Sequence, residues 1–291
     1  MGNAFKKALW SVRPATRFAA AGVMAAAMLG AALPAQAATW SDASIGYRYG
    51  TGFMEPGSAN DVVKHILNFT WVGGYKYGVN FFTVDMLHSN DKNPAVGGAT
   101  RGAHEVYAIY NNTLSISALR GSDIKFGPVK DVGFQFGFDY NSKNDAFGAG
   151  LYKIILGPKL TFDAPGLLQT GLFAVKEYNN NGIVGGSVNF DTAWRSGTVW
   201  AFNFNAGLPA VFKGFLNVTG PKGKDGFGAQ TKTETLLNAA LMWDVGSAAG
   251  MKDTVYAGFG VEYWKNKFGN NAAVVAGSKY TTGTFNIEVK F

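Results

Sequence analysis

The chain has 291 residues, 14% of them aromatic, with 39 glycines, no cysteine and a formal net charge of +7. Without cysteine, disulfide bonds are excluded as a source of stability. Four basic residues lie in the first 17 positions. Without them, 22 Lys and Arg remain against 19 Asp and Glu, which gives a net charge of +3. This low net charge excludes nucleic acid as the expected partner.

The first 37 residues have the pattern of a bacterial export signal. Basic residues are followed by an apolar, alanine-rich run from Phe18 to Leu33, and Ala35-Gln36-Ala37 supplies a cleavage site of the small-x-small type. An uncleaved membrane anchor is the alternative, but the run is short for a helix that needs about 20 residues to span a bilayer. We therefore predict a signal peptide at 1–37 and a mature domain at 38–291.

In the mature region, apolar and polar residues alternate in segment after segment. A period of two indicates β-strands with one apolar and one polar face. The predicted strands are centred near residues 43–50, 64–72, 76–88, 104–114, 131–141, 151–163, 167–178, 187–205, 211–219, 232–244, 254–264 and 281–291. No apolar stretch after residue 38 is long enough for a membrane helix, so a membrane location requires a closed barrel.

The segment 187–205 decides the strand count. A turn at Ser196-Gly197 would give thirteen strands, whereas bacterial single-chain barrels have an even number. Large apolar residues keep even positions from Val188 to Phe204, and polar residues keep odd positions from Asn189 onward. A turn would be free to break that phase. We therefore predict one long strand here and twelve strands in total.

The predicted fold is all-β, a 12-stranded antiparallel transmembrane β-barrel whose apolar rows face lipid. Both chain ends would lie on the periplasmic side, with mostly short inner connections and longer polar loops outside. The predicted outer loops are 51–63, 89–103, 142–150, 179–186, 220–231 and 265–280. The final strand ends on Phe291, as terminal strands of outer-membrane barrels do, and the last strand of a soluble sandwich is the alternative. The inner link at 115–130 is unusually long.

Catalysis and metal binding find little support. The histidines are His65, expected to face lipid, and His88 and His104, which border one outer loop. His88 adjoins Ser89, but adjacent side chains on a strand point to opposite faces, which is wrong for a nucleophile pair. The glycine-rich segment 220–228 lacks the spacing of a phosphate loop, and the acids are scattered. We predict no enzyme activity, no catalytic residue, no metal site and no cofactor.

The polar faces of the strands predict the lining of the bore. They carry both signs of charge and many amides, a mixture that suits a neutral, hydrogen-bonding solute because strongly ion-selective pores favour one sign. Two aromatic residues of inward or near-mouth position could stack on a flat ring. The candidate solute-binding residues are Asp85, Asp139, Lys153, Asn189, Asp191, Arg195, Glu234, Tyr256, Glu262 and Trp264. Each could instead be a structural charge pair in a plugged interior.

Five motifs resemble the nucleoside-specific (Tsx-like) channel family of outer-membrane proteins. They lie at 73–85, 126–133, 141–145, 223–228 and 263–269, and the similarity runs over essentially the whole mature chain. The resemblance implies a narrow, monomeric, twelve-stranded barrel that passes nucleosides and deoxynucleosides by diffusion through weak sites. It implies no individual contact residue in this chain.

The sequence thus predicts a channel of the Gram-negative outer membrane for nucleosides or similar small neutral solutes. Expected partners are the solute, outer-membrane lipids including lipopolysaccharide, and the barrel-assembly machinery through the strand that ends at Phe291. A general small-solute porin and a non-conducting surface receptor or structural barrel are the alternatives.

Overall fold

A computed structural model describes residues 38–96 and 98–291, so the predicted signal peptide lies outside the described residues. The strands are β1 (Trp40–Phe53), β2 (Val62–Tyr75), β3 (Gly78–Ser89), β4 (Pro94–Ala95), β5 (Gly98–Gly102), β6 (His104–Ser115), β7 (Val129–Lys143), β8 (Gly150–Phe162), β9 (Gly166–Asn181), β10 (Gly186–Asn189), β11 (Ala193–Ala206), β12 (Leu208–Thr219), β13 (Glu234–Asp244), β14 (Val255–Lys265) and β15 (Lys279–Lys290). One short helix, α1 (Ile116–Arg120), follows β6.

Twelve of these strands form a closed antiparallel barrel. Each barrel strand pairs with its neighbours in chain order, and β15 pairs with β1 to complete the ring. Strands β4 and β5 form a separate small hairpin. Strand β10 pairs with the last part of β9, beyond the part that pairs with β11. The predicted twelve-stranded barrel is therefore confirmed. A barrel suits this sequence because closure leaves no strand edge unpaired.

The two ends of the barrel differ in their connections. One end, called the turn end, holds both ends of the described chain and the tight turns at 76–77 and Gly207. The long link predicted at 115–130 also lies at this end. It is long because it contains α1, which Ser115 caps by accepting a hydrogen bond from the Ala118 N–H. The opposite end, called the loop end, holds the segments 54–61, 90–103, 144–149, 220–233 and 266–278.

The outer face of the barrel carries the large apolar side chains. Phe136 on β7 is 47% exposed, Ile154 on β8 is 48% exposed and Phe259 on β14 is 66% exposed. The same holds for Ile45, Leu67, Met86, Phe134, Leu156, Leu172, Phe212, Phe285, Ile287 and Val289. No second sheet or helix layer covers these rows in the part of the chain that the structure describes. Their alternation with buried residues confirms the predicted faces of the strands.

The barrel interior contains apolar clusters that the alternation did not predict. Phe53, Val62, Ile66 and Tyr280 pack together near the loop end. Val211, Met242 and Tyr256 pack together near the turn end, and a third cluster joins β8 to β9. These side chains narrow the interior, leaving the polar residues between them as the lining.

The predicted strand 187–205 is interrupted. Val188 pairs with Asn179, whereas Ala193 pairs with Val175, so five residues on one strand match four on the other. One extra residue makes a β-bulge, which reverses the face on which the following side chains lie. The strand count of twelve still holds because β10 and β11 both pair with β9.

No helix among residues 38–96 and 98–291 combines the length and the apolar character that a bilayer crossing demands.

Candidate functional site in the barrel interior

The first polar group of the interior lies on β1, β2 and β3. Arg48 donates to Asp85 Oδ2 at 3.1 Å, and Asn68 donates to Asp85 Oδ1 at 2.6 Å. The side chains of Arg48 and Asp85 are 22% and 26% exposed, so water reaches this pair. The group, called the Asp85 cluster, offers one compensated charge pair together with an amide and the Thr83 hydroxyl.

A second group, called the Asp139 cluster, comprises Asp139, Lys153, Glu177, Arg195 and Lys222. The Arg195 guanidinium lies 3.7 Å from Asp139 Oδ2, and the Tyr107 hydroxyl donates to the same oxygen at 3.0 Å. Lys153 pairs with Glu177 across β8 and β9, with 3.6 Å between Nζ and Oε2. The four residues of this cluster that lie on strands all point inward. Three of them, Asp139, Lys153 and Arg195, were predicted on the inner face.

Lys222 reaches the Asp139 cluster from outside the strands. It belongs to the loop between β12 and β13, and its Nζ lies 2.6 Å from Glu177 Oε1 and 4.1 Å from the centre of the Phe190 ring. Burial lowers the pKa of Lys222 from its ordinary value, and the attraction of Glu177 opposes this. The Lys222 side chain therefore enters the interior from the loop 220–233.

A third group, called the Glu55 cluster, closes the loop end. Glu55 lies in the loop between β1 and β2, Lys64 lies on β2, and Lys143 lies on β7. Asp145 follows β7, and Lys267 lies in the loop between β14 and β15. Glu55 accepts from Lys64 at 2.6 Å, and its other oxygen lies 3.3 Å from Lys143 and 3.2 Å from Lys267. Burial acts to raise the pKa of Glu55, but the three ammonium groups outweigh it and hold that pKa well below its usual range.

Three more predicted residues, Glu234, Glu262 and Trp264, lie near the loop end of the interior. Trp264 donates from Nε1 to Glu234 Oε1 at 2.7 Å, and its ring contacts the apolar cluster around Phe53. Glu262 accepts from the Tyr280 hydroxyl at 2.7 Å and from Asn238 at 3.0 Å. Trp264 therefore lies inside the barrel.

The turn end of the interior is also polar and paired. Lys213 donates to Glu288 at 2.5 Å, and these side chains are 33% and 16% exposed. The predicted residue Tyr256 lies here, where its ring packs on Val211 and Met242 and its hydroxyl donates to Asp253. The Nζ of Lys290 lies 4.6 Å from the ring centre, so this ring face is covered and not free for stacking on a solute.

Two predicted residues lie outside the bore. Asn189 pairs with Tyr178, which pairs with Tyr152 on the exposed outer face, because the bulge after β10 reverses the parity. Asp191 is exposed and has its backbone N–H bonded to Lys222 O. Both line an external groove of about 650 Å³, shared with Thr192, Pro221, Gly223, Lys224 and Gln230. The lumen prediction is therefore wrong for Asn189 and Asp191, although the groove is at the loop end.

Lys176 also lies on the outer face of the sheet. It pairs with the outward-facing Ile154, and its ammonium group donates to Phe190 O. The remaining eight candidates all lie inside the barrel. They are Asp85, Asp139, Lys153, Arg195, Glu234, Tyr256, Glu262 and Trp264.

Sequence reasoning missed the residues that loops bring into the interior. Glu55, Lys222 and Lys267 lie outside regular strand segments, where no alternation indicates the direction of a side chain. Within residues 38–96 and 98–291, no group of three or more His, Asp or Glu side chains is placed to hold a metal ion.

The barrel is similar to several solved structures. One titled KdgM porin has 10% identity and a TM-score of 0.43, covering 85% of this chain and 99% of its own. A NanC porin structure has 14% identity and a TM-score of 0.43, with coverages of 87% and 99%. The translocator domain of autotransporter NalP from Neisseria meningitidis has 13% identity and a TM-score of 0.39, with coverages of 94% and 97%. No protein-family model and no curated protein matches the sequence. Similarity this distant carries no argument about family or substrate.

Proposed function

We propose that this protein is an outer-membrane channel for the facilitated diffusion of small neutral solutes, with nucleosides as the preferred class. The single observation that carries the proposal is the contrast between the two faces of the barrel. Outside are exposed Phe, Ile and Leu rows, and inside are paired charges and amides. A closed sheet with these two faces separates hydrocarbon from a polar bore.

The preference for neutral solutes follows from the way the interior charges are paired. Arg48 is compensated by Asp85 and Lys213 by Glu288, and both pairs remain partly exposed to water. A solute passing them meets hydrogen-bond donors and acceptors without a large net field. Weak contacts of this kind let a solute enter and leave, which conduction requires. The resemblance of five motifs to the nucleoside channel family supports nucleosides as the solute.

Localisation and partners belong to the same proposal. The exposed apolar rows would contact outer-membrane lipid, including lipopolysaccharide, and residues 1–37 would direct export. Phe291 follows β15 and is 71% exposed, which leaves it accessible to the assembly machinery that we propose as a partner. A monomer would be sufficient, since one chain closes its own barrel.

The test is solute entry into liposomes that contain the purified full chain. Adenosine and a sugar of similar mass are compared by liposome swelling, with protein-free liposomes as the control. We expect adenosine to enter several-fold faster, and excess adenosine to compete with radiolabelled thymidine. Equal rates for the two solutes would indicate a general small-solute porin.

One observation favours a second candidate, a non-conducting barrel that displays its loops. Phe53 and Ile66 are each 1% exposed and Lys267 is 2% exposed, so the loop end of the interior is closely packed. The same liposomes decide between the candidates. Absence of both swelling and ionic conductance would support the closed barrel.

A further inference from the structure

The Glu55 carboxylate is held by three ammonium groups from separate parts of the barrel. Lys64 is on β2, Lys143 is at the end of β7, and Lys267 is in the loop between β14 and β15. The distances from the Glu55 oxygens to the three Nζ atoms are 2.6, 3.3 and 3.2 Å. Both oxygens are used, so the three lysines surround one carboxylate as they would a bound ligand.

The loop that carries Glu55 contacts the neighbouring loop between β14 and β15. Lys267 donates to Met54 O at 2.8 Å, and the Gly57 N–H donates to Ala276 O at 2.8 Å. Gly277 has φ +72°, and a Cβ there would lie 2.1 Å from Glu55 O. These contacts fix the position of the Glu55 carboxylate beside Lys267 at the loop end.

Glu55 also decides the charge of the mouth. The charged groups facing one another are the three lysines, Glu55 itself, Asp145 at 2.8 Å from Lys143, and Glu105, which pairs with Lys143 across β6 and β7. Three cations thus meet three carboxylates, and this group is neutral. Without Glu55 the same group would carry one excess positive charge.

Aromatic rings complete the surroundings of the lysines. The Nζ of Lys267 lies 4.7 Å from the ring centre of Trp264 and 5.2 Å from those of Phe268 and Tyr280. A carboxylate joined to a flat ring would find both an ammonium group and aromatic surface here. Glu55 offers only the carboxylate.

Resting on the proposed channel function, we propose that Lys64, Lys143 and Lys267 form a binding subsite for small aromatic carboxylates, and that Glu55 occupies it in place of such a solute. Glu55 thereby keeps the mouth neutral and excludes anionic solutes from it. It is a specificity-determining residue of the channel.

The first test measures the reversal potential of ion currents through the full chain in planar bilayers under a salt gradient. Glu55→Gln keeps the shape of the side chain and removes its charge, so we expect the ratio of anion to cation permeability to rise several-fold. Asp91→Asn is the matched control, because it removes a carboxylate from an exposed loop position outside the cluster. Lys267→Met should shift the ratio the other way. It also serves as an independent reading if Glu55→Gln does not fold.

The second test uses benzoate as the probe. We expect benzoate to reduce the current of Glu55→Ala, which vacates the subsite, at a concentration that leaves the wild-type current unchanged, and Glu55→Ala/Lys64→Met to lose much of this block. Equal reversal potentials for wild type, Glu55→Gln and Lys267→Met would overturn the proposal, as would equal benzoate block of wild type and Glu55→Ala. Because both readings use ion currents, failure of nucleoside transport alone would leave them intact.

Discussion

The ammonium group of Lys222 lies 2.6 Å from Glu177 Oε1, and this contact joins the loop after β12 to β9 inside the barrel. The two side chains are 7% and 5% exposed, so the pair is shielded from water. After its loss, Glu177 would keep only the longer contact with Lys153, at 3.6 Å. The contact therefore attaches the loop 220–233 to the barrel interior and balances a buried charge.

Lys222→Met should destabilise the barrel and loosen this loop. Charged hydrogen bonds contribute about 1.5–3 kcal/mol, so we expect the free energy of unfolding in detergent to fall by about that amount. Lys224→Met in the same loop is the control, since Lys224 is exposed. Denaturant unfolding and protease digestion of the loop give the two readings. Equal stability of both variants would show that the contact is not stabilising.

The ion preference of the channel should depend on pH through Lys267. Burial lowers the pKa of this lysine from 10.5 to about 8, against the attraction of Glu55. As the pH rises through that value the mouth loses one cation, so wild type should shift toward cation preference between about pH 7 and about pH 9. Lys267→Met should show no such shift. A pH response that persists in this variant would assign it to another group.

The same shift has a defined effect on stability. The pKa of Lys267 in the folded chain lies below its ordinary value. At pH values between these two pKa values, the unfolded chain therefore binds more protons than the folded chain. The contribution of Lys267 therefore makes the free energy of unfolding rise with pH in that window. The difference between wild type and Lys267→Met, measured by denaturant unfolding at both ends of the window, isolates this contribution.

Asp139 and Asp191 should respond differently to substitution by Asn. Asp139 is 3% exposed and contacts Arg195 and Tyr107, whereas Asp191 is exposed in the external groove. We expect Asp139→Asn to lower the free energy of unfolding by about 1–3 kcal/mol. Asp191→Asn should change it by less than about 0.5 kcal/mol. Denaturant unfolding measures both, and comparable losses would contradict the assigned positions.

These two aspartates also show how far sequence alone could predict the site. Regular alternation placed Asp139 correctly, because each step along β7 reverses the side chain. It failed at Asp191 and Asn189, because one extra residue in a bulge inverts the faces and leaves no mark on composition. The outward-facing apolar rows were predictable by the same alternation. Phe134 and Phe136 lie on the same strand as Asp139 but at even positions, so they face outward.

The interior of the loop end was not predictable from alternation. Glu55 and Lys267 lie in loops, where the direction of a side chain depends on contacts between segments distant in sequence. The inward Phe53 and Met242 also resembled ordinary members of an amphipathic strand. Their burial reflects packing against side chains of neighbouring strands, Val62 and Tyr280 for Phe53 and Val211 and Tyr256 for Met242.

Gly171→Ala should disturb packing inside the barrel. A Cβ at Gly171 would lie 2.2 Å from Cζ of Phe173, whose ring covers the glycine. Displacing that buried ring should lower the free energy of unfolding by about 1–3 kcal/mol. Gly283→Ala is the matched control, since a Cβ there has no neighbour within 4 Å. Denaturant unfolding should separate the two variants, and equal effects would argue against the ring position.

The most direct test of the central claim is a cysteine scan along β15 in lipid bilayers. The chain has no cysteine, so single substitutions from Thr284 to Val289 can each carry one spin label. Phe285, Ile287 and Val289 are 39%, 38% and 40% exposed on the outer face, and the residues between them face the bore. We predict that labels at odd positions collide with oxygen dissolved in lipid and that labels at even positions collide with a water-soluble relaxant. Accessibility without a two-residue period, or with odd positions open to water, would contradict a barrel that separates hydrocarbon from a polar bore.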